Sequence, residues 1–227
     1  MKYFKLRGNS DPKIIGVNNG VHQGEIKWRK FANNKAQKII MEYFSLEKYR
    51  KNIEEIESFN FEIQYVEAYR SAKLTDFFRF TPRLWGIEFF VTNEVKELFS
   101  QFNLPMHAYI PDNIYHKQKL YNYSALYIPY SYRLDSIDFE NSIFFKGNEI
   151  LGKKYFKFKD EEDWSKNKIS QAEKLFFNEN FDKSLDLFIS SFGGGGYYVS
   201  ERLKKAIEEH SLTGVRLLEP KDPEIYF

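Results

Sequence analysis

The sequence predicts an α+β fold: a mixed, mostly antiparallel sheet with a few packed helices and two related strand–loop–strand–helix subdomains. Three observations predict it. Apolar residues recur at three- and four-residue steps in some segments and alternate with period two in others. Residues 109–146 are rich in strand-like runs. A design of aromatic strand, loop, strand and capped helix occurs twice along the chain.

The composition excludes several classes of protein. The chain has 227 residues, a formal net charge of +2 and no cysteine, so disulfides, thiolate metal sites and cysteine nucleophiles are absent. The balance of 34 basic and 32 acidic residues does not favour nucleic acid binding. The first seven residues lack the apolar core of a signal peptide, and we expect a cytoplasmic location and no membrane partner.

Aromatic residues are unusually frequent, at 19% of the chain. One interpretation is an AT-rich bacterial genome, whose codons favour Phe and Tyr together with Lys, Asn and Ile, with many of the rings forming the core. The other is an aromatic recognition surface for a partner.

The N-terminal lead, residues 1–70, is predicted to contain strands, turns and one helix. Residues 2–7 alternate as a strand does, and 8–34 are rich in Gly and Asn, with Ile14, Ile15 and Val17 predicted to form a short strand. Apolar residues spaced as on a helix follow at 45–58, and period-two alternation at 61–67 predicts another strand.

The first repeated unit belongs to a subdomain predicted at 71–150. Strand-like runs at 74–78 and 86–92 flank a loop around Pro82, and Asn93 to Phe102 has the apolar spacing of a helix. Thr92 is the expected N-cap, because its hydroxyl is the type of group that accepts a free helix N–H.

Residues 160–163 are predicted to form an acidic turn in the second subdomain, 151–227.

The second repeated unit follows the same order near the C-terminus. Residues 184–188 correspond to 74–78, 197–200 to 89–92, and the predicted helix 201–209 to 93–101. Val91, Lys96 and Leu104 match Val199, Lys204 and Leu212 at a constant offset. We interpret this as a diverged internal duplication of subdomains that meet near residue 150, or lie within one continuous domain.

These residues resemble a group of bacterial immunity proteins that accompany polymorphic toxins. The distinctive string is Val199-Ser-Glu-Arg-Leu-Lys followed by Leu212-Thr-Gly, and the similarity extends over roughly 70–220. Its parts are ordinary capping and turn chemistry: Ser200 is expected to cap, and Gly214 to adopt a left-handed conformation. The motif therefore indicates a scaffold rather than a site.

The resemblance implies a protein that binds and neutralises a cognate toxin by occlusion, with no chemistry of its own. It supplies no catalytic, cofactor-binding or metal-binding residue. Aromatic anchors in a polar rim are typical of such surfaces. We expect them in the loops 79–88 and 112–123, and the candidate partner-binding residues are Arg83, Trp85, Tyr115, Tyr121 and Tyr123.

Two other functions remain open from the sequence. An enzyme or small-ligand-binding domain would use a cleft between the two halves, with Asp135, Asp138, Glu140 or His107 converging there. Nucleic acid binding would use the basic and aromatic residues of 27–51 and would weaken steeply with salt. The Gly193–Gly196 run lacks the spacing of a phosphate-binding loop and is interpreted as a flexible connection.

Overall fold

The computed structural model describes residues 2–18, 20, 22–27, 66–128, 134–190, 192, 196–221 and 223–227. The helix predicted at 45–58 lies outside the described residues, as do most of the strand at 61–67 and of the basic segment 27–51. The described chain forms two compact units. We call them the curled-sheet unit (Gly8–Tyr130 and Lys205–Arg216) and the aromatic-core unit (Met1–Arg7, Ser131–Lys204 and Leu217–Phe227).

The elements confirm an α+β protein. The strands are β1 (Tyr3–Gly8), β2 (Gly24–Ile26), β3 (Val66–Ala68), β4 (Phe77–Phe78), β5 (Phe80–Thr81), β6 (Ile87–Val91), β7 (Ala108–His116), β8 (Lys119–Tyr127), β9 (Ile137–Asn148), β10 (Gly152–Phe156), β11 (Ala172–Phe177), β12 (Leu187–Ser190), β13 (Gly196–Ser200), β14 (Val215–Leu218) and β15 (Glu224–Tyr226). The helices are α1 (Pro12–Ile15), α2 (Asn93–Phe99), α3 (Glu161–Asn167) and α4 (Glu201–Glu209), with a 3-10 turn at Leu134–Ser136.

The strands form three sheets, in which antiparallel pairs dominate. Their orders are β12-β13-β1-β14, β10-β9-β11-β15 and β4-β6-β8-β7-β3-β2-β5. Parallel pairs occur between β2 and β5, β3 and β7, and β11 and β15, so the sheets are mixed as predicted.

The curled-sheet unit is built on the seven-stranded sheet. β4 and β5 are at opposite ends of its strand order, yet only Arg79 separates them along the chain. The sheet therefore curls until its ends meet. Phe80 packs edge-on against Phe90 at 4.7 Å between ring centroids, and Phe78 lies 6.0 Å from Tyr123.

Helix α2 covers the other face of β4 and β6. Val95, Leu98 and Phe99 of the predicted helix stripe are buried. Phe102, its fourth predicted member, lies beyond the end of the helix and is half-buried. Phe77 lies 5.9 Å from Phe99 and 5.6 Å from Phe89, centroid to centroid. Adjacent phenylalanines on one strand thus point to opposite faces, as the pleat requires.

The aromatic-core unit explains much of the aromatic excess. Nine of the thirteen buried residues in its core cluster are Phe or Tyr. Phe188 is the centre of this cluster: it stacks on Tyr198 at 5.0 Å and meets Tyr3 and Phe177 edge-on at 5.0 and 5.5 Å. Such contacts add to the free energy of burial, so these rings serve the fold.

The two repeated units have the same strand register. In the first, Phe77 pairs with Val91 and Phe78 with Phe90; in the second, Leu187 pairs with Val199 and Phe188 with Tyr198. A helix follows each second strand directly. This shared geometry agrees with an internal duplication. The consecutive division into 1–70, 71–150 and 151–227 stays a prediction.

In each repeated unit, an aspartate forms the same hydrogen bonds with the residue that precedes the helix. The N–H of Thr92 donates to Asp76 O at 3.1 Å, and that of Ser200 to Asp186 O at 2.8 Å. Each hydroxyl also donates to the carboxylate of its aspartate, at 3.3 and 2.7 Å respectively. The aspartate side chain therefore holds the residue from which each helix begins.

Four local predictions differ from the structure. Ile14 and Ile15 lie in helix α1, because Asp11 Oδ1 caps the Lys13 N–H and Pro12 suits the first helical position. Residues 160–163 begin helix α3 rather than a turn, since Asp160 Oδ1 accepts the Asp163 N–H at 2.8 Å. Helix α2 ends at Phe99, not at residue 102. Thr92 occupies the N-cap position without a side-chain cap bond, because its hydroxyl bonds Asp76.

Candidate partner-binding surfaces

The predicted loop 112–123 is a β-hairpin. β7 and β8 pair over nine residues each, from Ala108 opposite Tyr127 to His116 opposite Lys119. Lys117 and Gln118 form the turn with φ values of 48° and 66°. Two consecutive left-handed residues match the right-handed twist of paired strands, so a two-residue turn closes this hairpin. The candidate residues here therefore lie on a rigid element.

The turn end of this hairpin exposes three large apolar or aromatic side chains. Tyr115 is 36% exposed, Leu120 67% and Tyr121 37%, and we call these residues the hairpin-end cluster. Tyr115 pairs with Leu120 on one face, whereas Tyr121 pairs with Ile114 on the other. Leu120 is not among the residues predicted from the sequence. Its position opposite Tyr115 follows only when the turn is placed at 117–118.

Tyr123 is buried and does not belong to this exposed set. Only 8% of it is accessible, and its hydroxyl donates to Thr75 O at 3.0 Å. Burial, with the negative charges of Asp76 and Glu94, raises its pKa, so the phenol stays neutral. Tyr123 is buried because it pairs with Asp112, on the inward face of the sheet.

Arg83 and Trp85 contact each other in the segment before β6. The Arg83 guanidinium carbon is 5.8 Å from the Trp85 ring centroid, and its Nε is 3.7 Å from Glu88 Oε2. The Arg83 side chain is half exposed, and Trp85 is half-buried. Arg79 also binds Glu88, at 2.6 Å, which fixes the carboxylate under the pair.

The structure places the candidates in two clusters rather than one. The carbonyl oxygen of Gly86, next to Trp85, accepts the N–H of Ile128. Ile128 follows the last residue of β8, at the end of that strand away from Tyr121. Tyr121 and Tyr127 are six residues apart on one strand, which at about 3.3 Å per residue is about 20 Å. The Arg83–Trp85 pair and the hairpin-end cluster therefore lie at opposite ends of β8.

The groups suggested for an enzyme belong to different units: His107 to the curled-sheet unit, and Asp135, Asp138 and Glu140 to the aromatic-core unit. His107 Nδ1 is 2.9 Å from Pro105 O, and His116 is at the other end of β7. Asp138 accepts the N–H and side-chain amide of Asn141 at 3.1 and 2.7 Å, while Glu140 is exposed. Within the described part of the chain, no group of three or more His, Asp or Glu residues is placed to hold a metal ion.

A basic cleft in the aromatic-core unit was not predicted. It has a volume of about 590 Å³, and its cationic lining residues are Arg7, Lys146, Lys153 and Lys168. Glu149 is the single carboxylate among the described residues that line it. The cleft lies beside the β9–β10 hairpin, whose turn exposes Ile150 and Leu151.

The segment Leu212-Thr-Gly is hydrogen-bonded to Asp76 and to Phe77, the first residue of β4. The N–H and hydroxyl of Thr213 both donate to Asp76 Oδ2 at 2.7 Å, and Thr213 O accepts the N–H of Phe77 at 3.0 Å. Gly214 has φ +93°, and a Cβ there would lie 2.1 Å from Phe77 O. The left-handed Gly214 was predicted, and the motif has a structural role in holding this attachment.

The upstream part of the same motif also serves the scaffold. Ser200 Oγ accepts the Leu203 N–H at 3.1 Å, which confirms the predicted cap. Buried Asp186 receives hydrogen bonds from Ser200 and from the guanidinium of Arg202. Asp186 therefore holds both the cap residue and the first turn of α4.

The fold and these surfaces define a class: an α+β protein whose repeated units build a scaffold, with exposed side chains suited to contact a partner. Among the described residues, no helix is both long enough and apolar enough to cross a membrane. The family model described as "Immunity protein family (Imm11)" matches residues 31–222, and the chain belongs to this family. That match confirms the resemblance and includes part of the N-terminal lead. A search of curated proteins gave no match.

Proposed function

We propose that this protein binds a cognate secreted bacterial toxin in the cytoplasm and neutralises it by occlusion, without catalysis of its own. Membership of the immunity protein family carries this proposal. The same family membership supports the non-enzymatic part of the proposal.

The hairpin-end cluster is the surface we favour for toxin contact. Tyr115, Leu120 and Tyr121 are exposed on a hairpin paired over nine residues in each strand. A rigid support lowers the conformational entropy lost on binding, and aromatic side chains often supply much of the binding energy. The Arg83–Trp85 pair is a second proposed contact. A standard interface covers about 800 Å² on each partner, enough for one toxin to reach both clusters.

Co-expression tests the function directly. The gene encoded directly upstream of this one is cloned for its C-terminal toxin-like domain and induced in a bacterium with or without this protein. We expect growth arrest by the toxin alone and growth in the presence of both. Arrest in both strains, with this protein expressed and folded, would contradict the proposal.

Loss of the hairpin-end cluster should weaken toxin binding. In the Tyr115→Ser/Leu120→Ser variant we expect a binding loss of at least about 2 kcal/mol, because two side chains on one face lose their apolar contact. Calorimetry with the purified toxin domain measures it. Met106→Ser is the control, since Met106 is 56% exposed in the same unit but outside the hairpin.

Arg83→Ala/Trp85→Ala is measured in parallel as a second double variant. A loss in this variant alone would move the interface to the other end of β8. Unchanged affinity in both variants would contradict both proposed surfaces, while leaving the protection experiment to decide the function.

A further inference from the structure

The turn end of the β9–β10 hairpin and the segment that follows β10 carry a local excess of positive charge. Residues 146–159 contain five lysines and one carboxylate, Glu149. The whole chain has a net charge of only +2, so this is a local feature. β10 is at the edge of its sheet and is mostly exposed, so this charge is presented to solvent.

The register sorts these lysines between the two faces of the hairpin. Lys153 pairs with Gly147 on the face that carries Phe145, and its ammonium lies 4.5 Å from the Phe145 ring centroid. Lys154 pairs with Lys146 on the other face, where both ammonium groups lie over Phe156. Lys153 lines the basic cleft, whereas Lys154 does not. The two adjacent lysines therefore provide a matched pair for experiment.

Cations from three separate parts of the chain meet at this cleft: Arg7 from β1, Lys153 from β10 and Lys168 from the C-cap of α3. Lys146 of β9 also lines the cleft, but its ammonium lies over Phe156 on the opposite face of the hairpin. Among the described residues, neither Arg7 nor Lys168 forms an ion pair. Glu149 offsets part of the positive charge at the cleft. The like charges that remain repel one another, and an anionic ligand relieves that repulsion.

The edge of the cleft also has an apolar feature. Ile150 and Leu151 are 93% and 84% exposed at the turn between β9 and β10. Their N–H groups donate to Asn148 Oδ1 at 2.9 and 2.8 Å, so the turn is held in place by one side chain. Two aliphatic side chains beside a cationic cleft match a protein segment with both acidic and apolar residues.

We propose that this cleft binds a carboxylate-rich segment of a partner protein, with Ile150 and Leu151 contacting apolar residues next to it. Carboxylates supply the charge that the cleft lacks, and an extended peptide fits a concave groove better than a flat bilayer does. The aliphatic side chains of Ile150 and Leu151 favour a protein partner. Single-stranded nucleic acid is instead bound largely by stacking of its bases on aromatic rings. The proposal rests on the proposed function only in taking the partner to be a protein.

The test uses the full chain and two fluorescent synthetic peptides of equal length. One alternates Glu with Leu, and the other has Gln in place of every Glu. We expect the Glu peptide to bind more tightly by fluorescence anisotropy, with an advantage that shrinks as salt is added. Arg7→Glu/Lys168→Glu should weaken Glu-peptide binding about tenfold, because two attractive contacts become repulsive.

Lys153→Glu should also weaken Glu-peptide binding, and Lys154→Glu is its control, because the two adjacent lysines give the same charge change on opposite faces of the hairpin. Arg7 and Lys168 are exposed, so their variants should fold, and circular dichroism checks this. Equal effects of Lys153→Glu and Lys154→Glu would overturn the proposal, as would no preference for the Glu peptide. Tighter binding of a single-stranded DNA oligonucleotide or of phosphatidylglycerol vesicles would overturn it too.

This experiment contains no toxin, so its outcome is independent of the co-expression result. Protection without Glu-peptide binding would remove the cleft proposal and leave the function. Glu-peptide binding without protection would remove the proposed function and leave the cleft proposal.

Discussion

Phe99→Ala is expected to lower the free energy of unfolding by about 3–5 kcal/mol. Phe99 is 1% exposed and packs on Phe77, so its removal leaves a cavity between α2 and β4. Ile207, the corresponding position in α4, is 2% exposed, and Ile207→Ala should cost about 2–5 kcal/mol. Denaturant unfolding followed by circular dichroism measures both.

Glu97→Ala is the control for Phe99→Ala, because Glu97 is exposed on the same helix. It should change stability by less than about 0.5 kcal/mol. An unchanged unfolding midpoint in Phe99→Ala or Ile207→Ala would contradict the placement of that helix against the core.

Gly214→Ala should destabilise the protein through two separable effects. The left-handed backbone at φ +93° costs an alanine about 1–2 kcal/mol. The new Cβ would also lie 2.1 Å from Phe77 O, which forces β4 or the Leu212-Thr-Gly segment to move. The displacement weakens the bonds from Thr213 to Asp76, and we expect a total loss of at least about 3 kcal/mol.

Gly152→Ala separates the two effects. Gly152 has a similar φ of +87°, but no atom lies within 4 Å of the position of its Cβ. The loss of stability in Gly152→Ala should therefore be the cost of the left-handed backbone alone, about 1–2 kcal/mol. Equal losses in the two variants would show that the close approach to Phe77 has no energetic consequence.

The fold class followed from the sequence because it depends on local periodicity. The α2 stripe and the C-terminal helix 201–209 are amphipathic over two or more turns, and the structure buries the predicted residues. Helix α3 was also predictable in principle. Asp160 followed by three acidic residues is a typical helix start, and it was interpreted as a turn.

The surfaces were less predictable because they depend on register and on distant contacts. Lys117 and Gln118 are uncommon in a turn that needs two positive φ values, so nothing local marked 112–123 as a hairpin. Tyr123 therefore was not recognised as buried, and Leu120 was missed. The basic cleft joins positions 7, 146, 153 and 168, which no motif connects.

The residues of the Val199–Gly214 string that serve the scaffold are separate from the proposed contact surfaces. Thr213 and Gly214 hold β4, and Ser200 caps α4. The hairpin-end cluster and the basic cleft use other residues. Substitutions at the proposed contact surfaces should therefore affect the fold less than substitutions at these attachments, since loops and strand ends tolerate change better than buried attachments.

Stoichiometric titration tests the central claim most directly. A fixed amount of purified toxin domain is mixed with increasing amounts of this protein, and the remaining toxin activity is measured. Neutralisation by occlusion predicts activity that falls linearly to zero at a fixed stoichiometric ratio and returns when the complex is dissociated. Lasting inactivation by a small fraction of an equivalent would show catalysis instead, and unchanged activity at excess would contradict neutralisation.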